Sequence, residues 1–126
     1  MNSKSRRILL VEDHTDSAAV LSKVLQARGH TVVTAGTCAL ARAAFKSAIF
    51  DVAVIDIGLP DGDGYGLLSD LRAIRVVPAV AITGYGMPQD ISRSQAAGFI
   101  AHIIKPIVLP GLDEVISNLR IDPAAA

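Results

Sequence analysis

Cysteine is almost missing from this chain. Cys38 is the only one among 126 residues, so no internal disulfide can form and a reducing, cytoplasmic compartment is the expected home. Its position near a predicted helix start reads as a small packed residue, and nothing beside it would activate a thiol. Net charge is lacking as well: 12 Lys and Arg balance 12 Asp and Glu. That balance argues against non-specific nucleic-acid contact or binding to anionic membranes as the main task. Long apolar runs are absent too. Lys4, Arg6 and Arg7 ahead of Ile8 imitate the start of a signal peptide, but Glu12 stops the run far short of an export segment or a membrane span. Internal repeats are missing, and the one low-complexity stretch is the tail Pro123-Ala124-Ala125-Ala126.

What is present is a dense composition, 51% hydrophobic and 19% charged, which suits one globular domain with a real core. Short apolar runs alternate with segments of helical period, the pattern of βα units around a parallel sheet. The runs predict strands over 7–12, 31–35, 51–56, 78–83 and 100–104. Three are almost continuously apolar, as strands covered on both faces require. A first helix is expected after Asp16, with Val20, Leu21, Val24 and Leu25 inward and Gly29 as its stop. A second starts from Thr37 as N-cap and buries Leu40, Ala44, Phe45 and Ala48. A third carries Leu67, Leu68, Leu71 and Ile74. A fourth begins near Pro88 and ends at Gly98, and a fifth starts around Pro110 with Leu112, Val115, Ile116 and Leu119. Right-handed crossovers would then place helices on both faces of a five-stranded sheet.

Polar groups close these runs. Ile8–Val11 leads to Glu12-Asp13, Val52–Ile55 to Asp56, Ala79–Ile82 to Thr83 and Ile100–Ile104 to Lys105-Pro106. In an open parallel sheet the C-terminal strand ends lie side by side, where such sheets bind ligands. Three carboxylates would then share a small volume. At about 4 Å and an effective dielectric of about 20, each like-charge pair costs on the order of 4 kcal/mol. The cluster must be partly protonated, well solvated or neutralised by a cation. All the donors are oxygens, so a hard dication fits: Mg2+, with Mn2+ as the alternative, on Glu12, Asp13, Asp56 and a backbone carbonyl such as that of Gly58. The plain alternative is a set of solvated acidic turn residues. Asp56 is placed to attack phosphorus and form an acyl phosphate. Lys105 supplies a mobile positive charge for one phosphoryl oxygen, and Thr83 a hydroxyl for another. The Lys105-Pro106 step pushes the lysine out of helical geometry and fixes the local backbone.

Taken in order, Leu10-Val11-Glu12-Asp13, Asp56 with Leu59-Pro60-Asp61-Gly62, Ala81-Ile82-Thr83-Gly84 and Lys105-Pro106 resemble the receiver domains of two-component response regulators and hybrid histidine kinases. The likeness covers roughly residues 7–120, leaving 1–6 as an N-terminal extension and 121–126 as a tail or linker stub. It implies a flavodoxin-like, doubly wound αβα domain with a five-stranded parallel sheet of order 2-1-3-4-5. It further implies a phosphoryl group taken from a histidine kinase or histidine phosphotransfer domain. Asp56 matches the phosphoacceptor, Glu12 and Asp13 the acidic metal pair, Gly58 the position of a metal-bound carbonyl, Thr83 the switch hydroxyl and Lys105 the phosphate-pairing lysine. His102 stands where many relatives keep a switch aromatic; the alternative is a half-buried edge-strand histidine without a role. Gly58 stands where many relatives carry a larger side chain that controls water access, so an unshielded acyl phosphate is expected.

The face built by the fourth helix, fifth strand and fifth helix is the expected responder. The chain leaves no room after Leu119 for an output domain, which favours a hybrid-kinase receiver or a stand-alone regulator. An aspartate-nucleophile phosphatase of the haloacid dehalogenase type is the enzymatic rival, but it needs a second Asp where Gly58 stands, and a cap. A pseudo-receiver that signals by binding alone is the third reading, and it predicts loss of the acidic pair, Asp56 or Lys105. Gly62-Asp63-Gly64-Tyr65-Gly66 completes neither a dinucleotide fingerprint nor a calcium loop, and reads as the loop and N-terminus of the third helix.

Overall fold

A computed structural model of the chain describes residues 5–84, 88–105 and 116, without the side chains of 88–91 and 94. Five parallel strands form the sheet: β1 (Arg7–Val11), β2 (Thr31–Ala35), β3 (Val52–Asp56), β6 (Ala79–Thr83) and β7 (Ala101–Ile104). Their order is β2-β1-β3-β6-β7, the expected 2-1-3-4-5 arrangement once a small hairpin between β3 and β6 is set aside. That hairpin, β4 (Gly58–Leu59) paired antiparallel with β5 (Gly62–Asp63), was not expected. It turns through Pro60-Asp61, good turn residues.

The helices are α1 (Thr15–Ala27), α2 (Cys38–Ser47), α3 (Gly64–Ile74) and α4 (Pro88–Ala97). Strands β3 and β6 are buried along their whole length, and β1 from Ile8 onward. Alternation along each strand sends side chains to two separate cores. Leu9, Val11, Ala53 and Ile55 meet α2 and α3 through Ala41, Phe45, Leu67 and Leu71. Ile8, Leu10, Val54 and Ile82 meet Leu21 and Leu25 of α1 together with Ile116. Helices thus cover both faces, and each large aliphatic buried there stabilises the fold by roughly 1.5–3 kcal/mol.

Two inward assignments need correction. Val20 is 56% and Leu40 57% exposed. In α1 the buried stripe is Ala18, Leu21 and Leu25, and in α2 it is Cys38, Ala41 and Phe45. Both stripes follow i, i+3, i+7 spacing, which puts the residue just before the middle member about 100° off the stripe. Thr37 caps α2 as expected, accepting from the Leu40 N–H at 3.1 Å. Gly29 (φ 95°) follows α1 and Gly98 (φ 105°) follows α4, where left-handed backbone favours glycine. Pro106 and the fifth helix from Pro110 lie outside the described residues, except that Ile116 is helical and fully buried.

Gly64 is fixed by close approach. A Cβ there would stand 2.9 Å from Ile57 Cδ1 and 3.0 Å from the Asp56 carbonyl oxygen, while the Gly64 N–H donates to the Ile57 carbonyl at 2.8 Å. Gly64→Ala is therefore expected to destabilise the domain by about 1–3 kcal/mol, read by denaturant unfolding. A change under about 0.5 kcal/mol would contradict this packing.

Candidate functional site

Strand register brings the charged residues together. Val11 pairs with Ile55, so Glu12, one residue on, comes level with Asp56. Glu12 extends the ladder by donating its N–H to the Ala35 carbonyl at 3.0 Å. Thr83 pairs with Ile104, and its carbonyl accepts the Lys105 N–H at 2.7 Å. That bond fixes where the lysine leaves the sheet edge.

The Lys105 ammonium donates to Asp56 Oδ2 at 2.7 Å and stands 3.4 Å from Glu12 Oε2. The other oxygen of Asp56, Oδ1, accepts the Gly58 N–H at 3.0 Å. The other oxygen of Glu12, Oε1, accepts the His14 N–H at 3.0 Å. Asp56, Glu12 and Thr83 are buried, whereas Lys105 is one-third exposed. Burial drives the Glu12 carboxyl pKa upward; the His14 N–H opposes this, and the facing Asp56 carboxyl adds to the rise. For Lys105, burial lowers the pKa, but the hydrogen bond to Asp56 and the charges of Asp56 and Glu12 outweigh it, leaving the net value raised.

One cation therefore serves two buried carboxylates, and Asp13 adds a third acid at the rim. Among the described residues Glu12 Oε2 is buried with no hydrogen bond, only the 3.4 Å ion pair with the shared Lys105 ammonium, and an under-satisfied carboxylate oxygen is costly in such surroundings. The donor set and this under-satisfied oxygen fit a hard dication. Donor atoms of Glu12, Asp13 and His14 lie within 4.8 Å of one another. Asp56 is not in that tight group, being held toward Lys105 and Gly58. The predicted residues Glu12, Asp56 and Lys105 are thus in direct contact, Asp13 adjoins Glu12, and Thr83 sits at the neighbouring strand end. Gly58 is exposed, and a Cβ there would meet nothing within 4 Å.

Sequence reasoning missed two contributors. His14 follows the acidic pair directly, and three successive donor residues were its readable signal. Asp61 accepts the N–H groups of Cys38 (2.7 Å) and Ala39 (3.1 Å), capping α2 from the hairpin that follows Asp56. These bonds, the Cys38 N–H first, hold the Asp61 carboxyl below its usual pKa. Burial first, and then Asp61, push the Cys38 thiol up, which agrees with an inert packed cysteine. His102 sits on the edge strand β7 opposite Ala81, half-buried, with both ring nitrogens buried and unpartnered among the described residues.

Comparison with known proteins decides what carries this arrangement. Residues 8–117 match the family model described as the response regulator receiver domain. The chain belongs to that family. The receiver domain is 35% identical over 115 residues to the transcriptional regulatory protein TcrA of Mycobacterium tuberculosis, covering 90% of this chain and 44% of that protein. It is 26% identical over 123 residues to the sensory/regulatory protein RpfC of Xanthomonas campestris pv. campestris, covering 94% of this chain and 17% of that protein. The chain thus spans less than half of either. Among solved structures, a CheY-like receiver domain protein from Methanospirillum hungatei JF-1 superposes with a TM-score of 0.83 at 32% identity, covering 89% of this chain and 90% of that one. Among the described residues of the receiver domain, no helix is long and apolar enough to cross a membrane.

The raised Glu12 pKa makes a stability prediction. In the metal-free fold Glu12 keeps a proton that the unfolded chain releases as pH rises past the ordinary value of 4.5. Stability therefore falls from that pH up to the folded pKa, and then levels. Glu12→Gln leaves Lys105 paired with Asp56 and removes this loss. In chelator at pH 7 it is expected to gain on the order of 1 kcal/mol, about 3–5 °C in melting temperature, with the gain vanishing at acid pH. Equal melting temperatures at pH 7 would count against the buried-charge account.

Proposed function

We propose that this domain takes a phosphoryl group from a phosphohistidine, on a histidine kinase or a histidine phosphotransfer domain, onto the Asp56 carboxylate. The observation that carries the reading is the Asp56 side chain itself: buried at a strand end, held through one oxygen by the Gly58 N–H and through the other by Lys105. A carboxylate oxygen attacks phosphorus, the P–N bond to the donor imidazole breaks, and its electron pair stays on that nitrogen. Mg2+, held by Glu12, Asp13, Asp56 and the Gly58 carbonyl with Mn2+ as substitute, would supply charge neutralisation to the phosphoryl oxygens. Lys105 moves its ammonium from Asp56 to a phosphoryl oxygen, and the Thr83 hydroxyl donates to another.

The new group adds about −1.5 to −2 charge. Thr83 and Lys105 stand at the ends of the adjacent strands β6 and β7, so drawing both toward the phosphate couples the site to the face carrying α4 and β7; the fifth helix of the expected responding face lies outside the described residues. His102, half-buried on β7 opposite Ala81, is a side chain placed to respond. The phosphatase alternative lacks its general acid, since Gly58 stands two residues after Asp56. The binding-only alternative predicts loss of the acidic pair, Asp56 or Lys105, and all of them are present. We further propose cytoplasmic action within a phosphorelay, as a module of a hybrid histidine kinase or as a stand-alone regulator, without direct nucleic-acid contact.

With Mg2+ and acetyl phosphate, intact mass should rise by ~80 Da, one phosphoryl group, and Asp56→Asn should show no gain. Absence of the adduct in the parent chain after rapid quench would overturn the reading. Gly58 leaves the acyl phosphate open to water, and space exists for a side chain there. Gly58→Gln is expected to lengthen the adduct's lifetime several-fold, followed by mass or by phosphate release. An unchanged decay rate would show that this position does not gate water.

A further inference from the structure

The geometry points to His14 as a direct nitrogen ligand of the cation site, making the site selective for borderline first-row dications over Mg2+. The inference rests on the metal reading of Glu12 and Asp13 given above. His14 is the N-cap of α1, yet its side chain makes no capping bond, so the imidazole has no local helical task. Its own N–H donates to Glu12 Oε1, which folds the turn back on itself. Nδ1 thereby comes to 3.5 Å from Glu12 Oε1 and 3.9 Å from Asp13 Oδ1.

Those separations suit a shared ion. Nitrogen and oxygen donors sit roughly 2.0–2.2 Å from such cations, so two donors on one ion stand roughly 3.0–3.5 Å apart. A small rotation of the exposed imidazole closes the remainder. Glu12 divides its work: Oε1 faces His14, while the buried Oε2 faces Lys105 at 3.4 Å. The lysine therefore does not occupy the side of the carboxylate that His14 approaches.

Chemistry sets the selectivity. Carboxylates and carbonyls suit Mg2+ and Mn2+, whereas imidazole adds little to a hard ion and much to Ni2+, Cu2+ or Zn2+. An oxygen-only site would rank ions by charge and size; a site with His14 ranks them by nitrogen affinity as well. His14 is 73% exposed on its side chain, so replacing it should leave the fold intact while the backbone N–H to Glu12 persists.

The test uses the untagged full chain and two probes. By calorimetric titration, His14→Gln is expected to weaken Ni2+ binding by about 10-fold or more and to change Mg2+ binding by less than about twofold. Pulsed paramagnetic resonance of bound Mn2+ should show nitrogen modulation in the parent chain and none in the variant. Equal Ni2+ affinity in the two proteins, or nitrogen modulation that survives in His14→Gln, would overturn the role of His14 while leaving the oxygen site standing. Failure of Mg2+, Mn2+ and Ni2+ alike to bind the parent chain would overturn this inference together with the metal reading beneath it.

Discussion

Lys105 lies between two buried carboxylates, and the functional end of the molecule depends on that arrangement. Asp56 and Glu12 are brought level by the pairing of β1 with β3, a register fixed by hydrophobic burial on both faces of the sheet. A one-residue slip would exchange the two cores and is excluded by them. The core therefore forces two acids into proximity, and the ammonium is what makes that proximity tolerable. Lys105 is itself anchored through its N–H on the Thr83 carbonyl, so the neutralising charge and the residue at the end of β6 are mechanically one unit.

Contacts away from the chemistry hold the loop after Asp56 in place. Asp61 reaches across to cap α2, and Asp63 caps α3 by accepting the Gly66 N–H at 2.8 Å. Gly64 lets the start of α3 press against the Asp56 carbonyl. At the far end, Arg75 donates to the Phe45 and Ala48 carbonyls and stacks 4.6 Å over the Phe45 ring, closing the C-terminus of α2. The segment after Asp56 is thus pinned by two helix N-termini, while its own position 58 faces open space. Rigidity surrounds the site and access is left at one point.

Much of this was legible in the sequence, for identifiable reasons. Parallel strands buried on both faces must be apolar throughout, so β1, β3 and β6 stood out as runs, and each run advertised its terminal polar residue. Parallel topology then made the convergence of Glu12, Asp56, Thr83 and Lys105 a geometric consequence. Helix faces were less legible. Val20 and Leu40 are apolar residues lying about 100° from the true stripes, and local composition does not tell a stripe from its flank. The β4–β5 hairpin is too short to show a period. The Asp61 cap links residues more than twenty positions apart, and no local pattern records such a contact. The signal of His14 is masked, because the adjacent acidic pair already completes an oxygen donor set.

Under the proposed phosphorylation of Asp56, the charge arrangement would let the site act as a switch. With one ammonium shared by two carboxylates, Lys105 is already committed, and its withdrawal from Asp56 is favourable only when something more negative arrives. A phosphoryl group on Asp56 removes one carboxylate charge and brings about −1.5 to −2 in its place. Moving a two-state equilibrium from 1:99 to 99:1 needs ~5.5 kcal/mol of differential stabilisation, and charge-assisted hydrogen bonds of roughly 1.5–3 kcal/mol each come within reach of it.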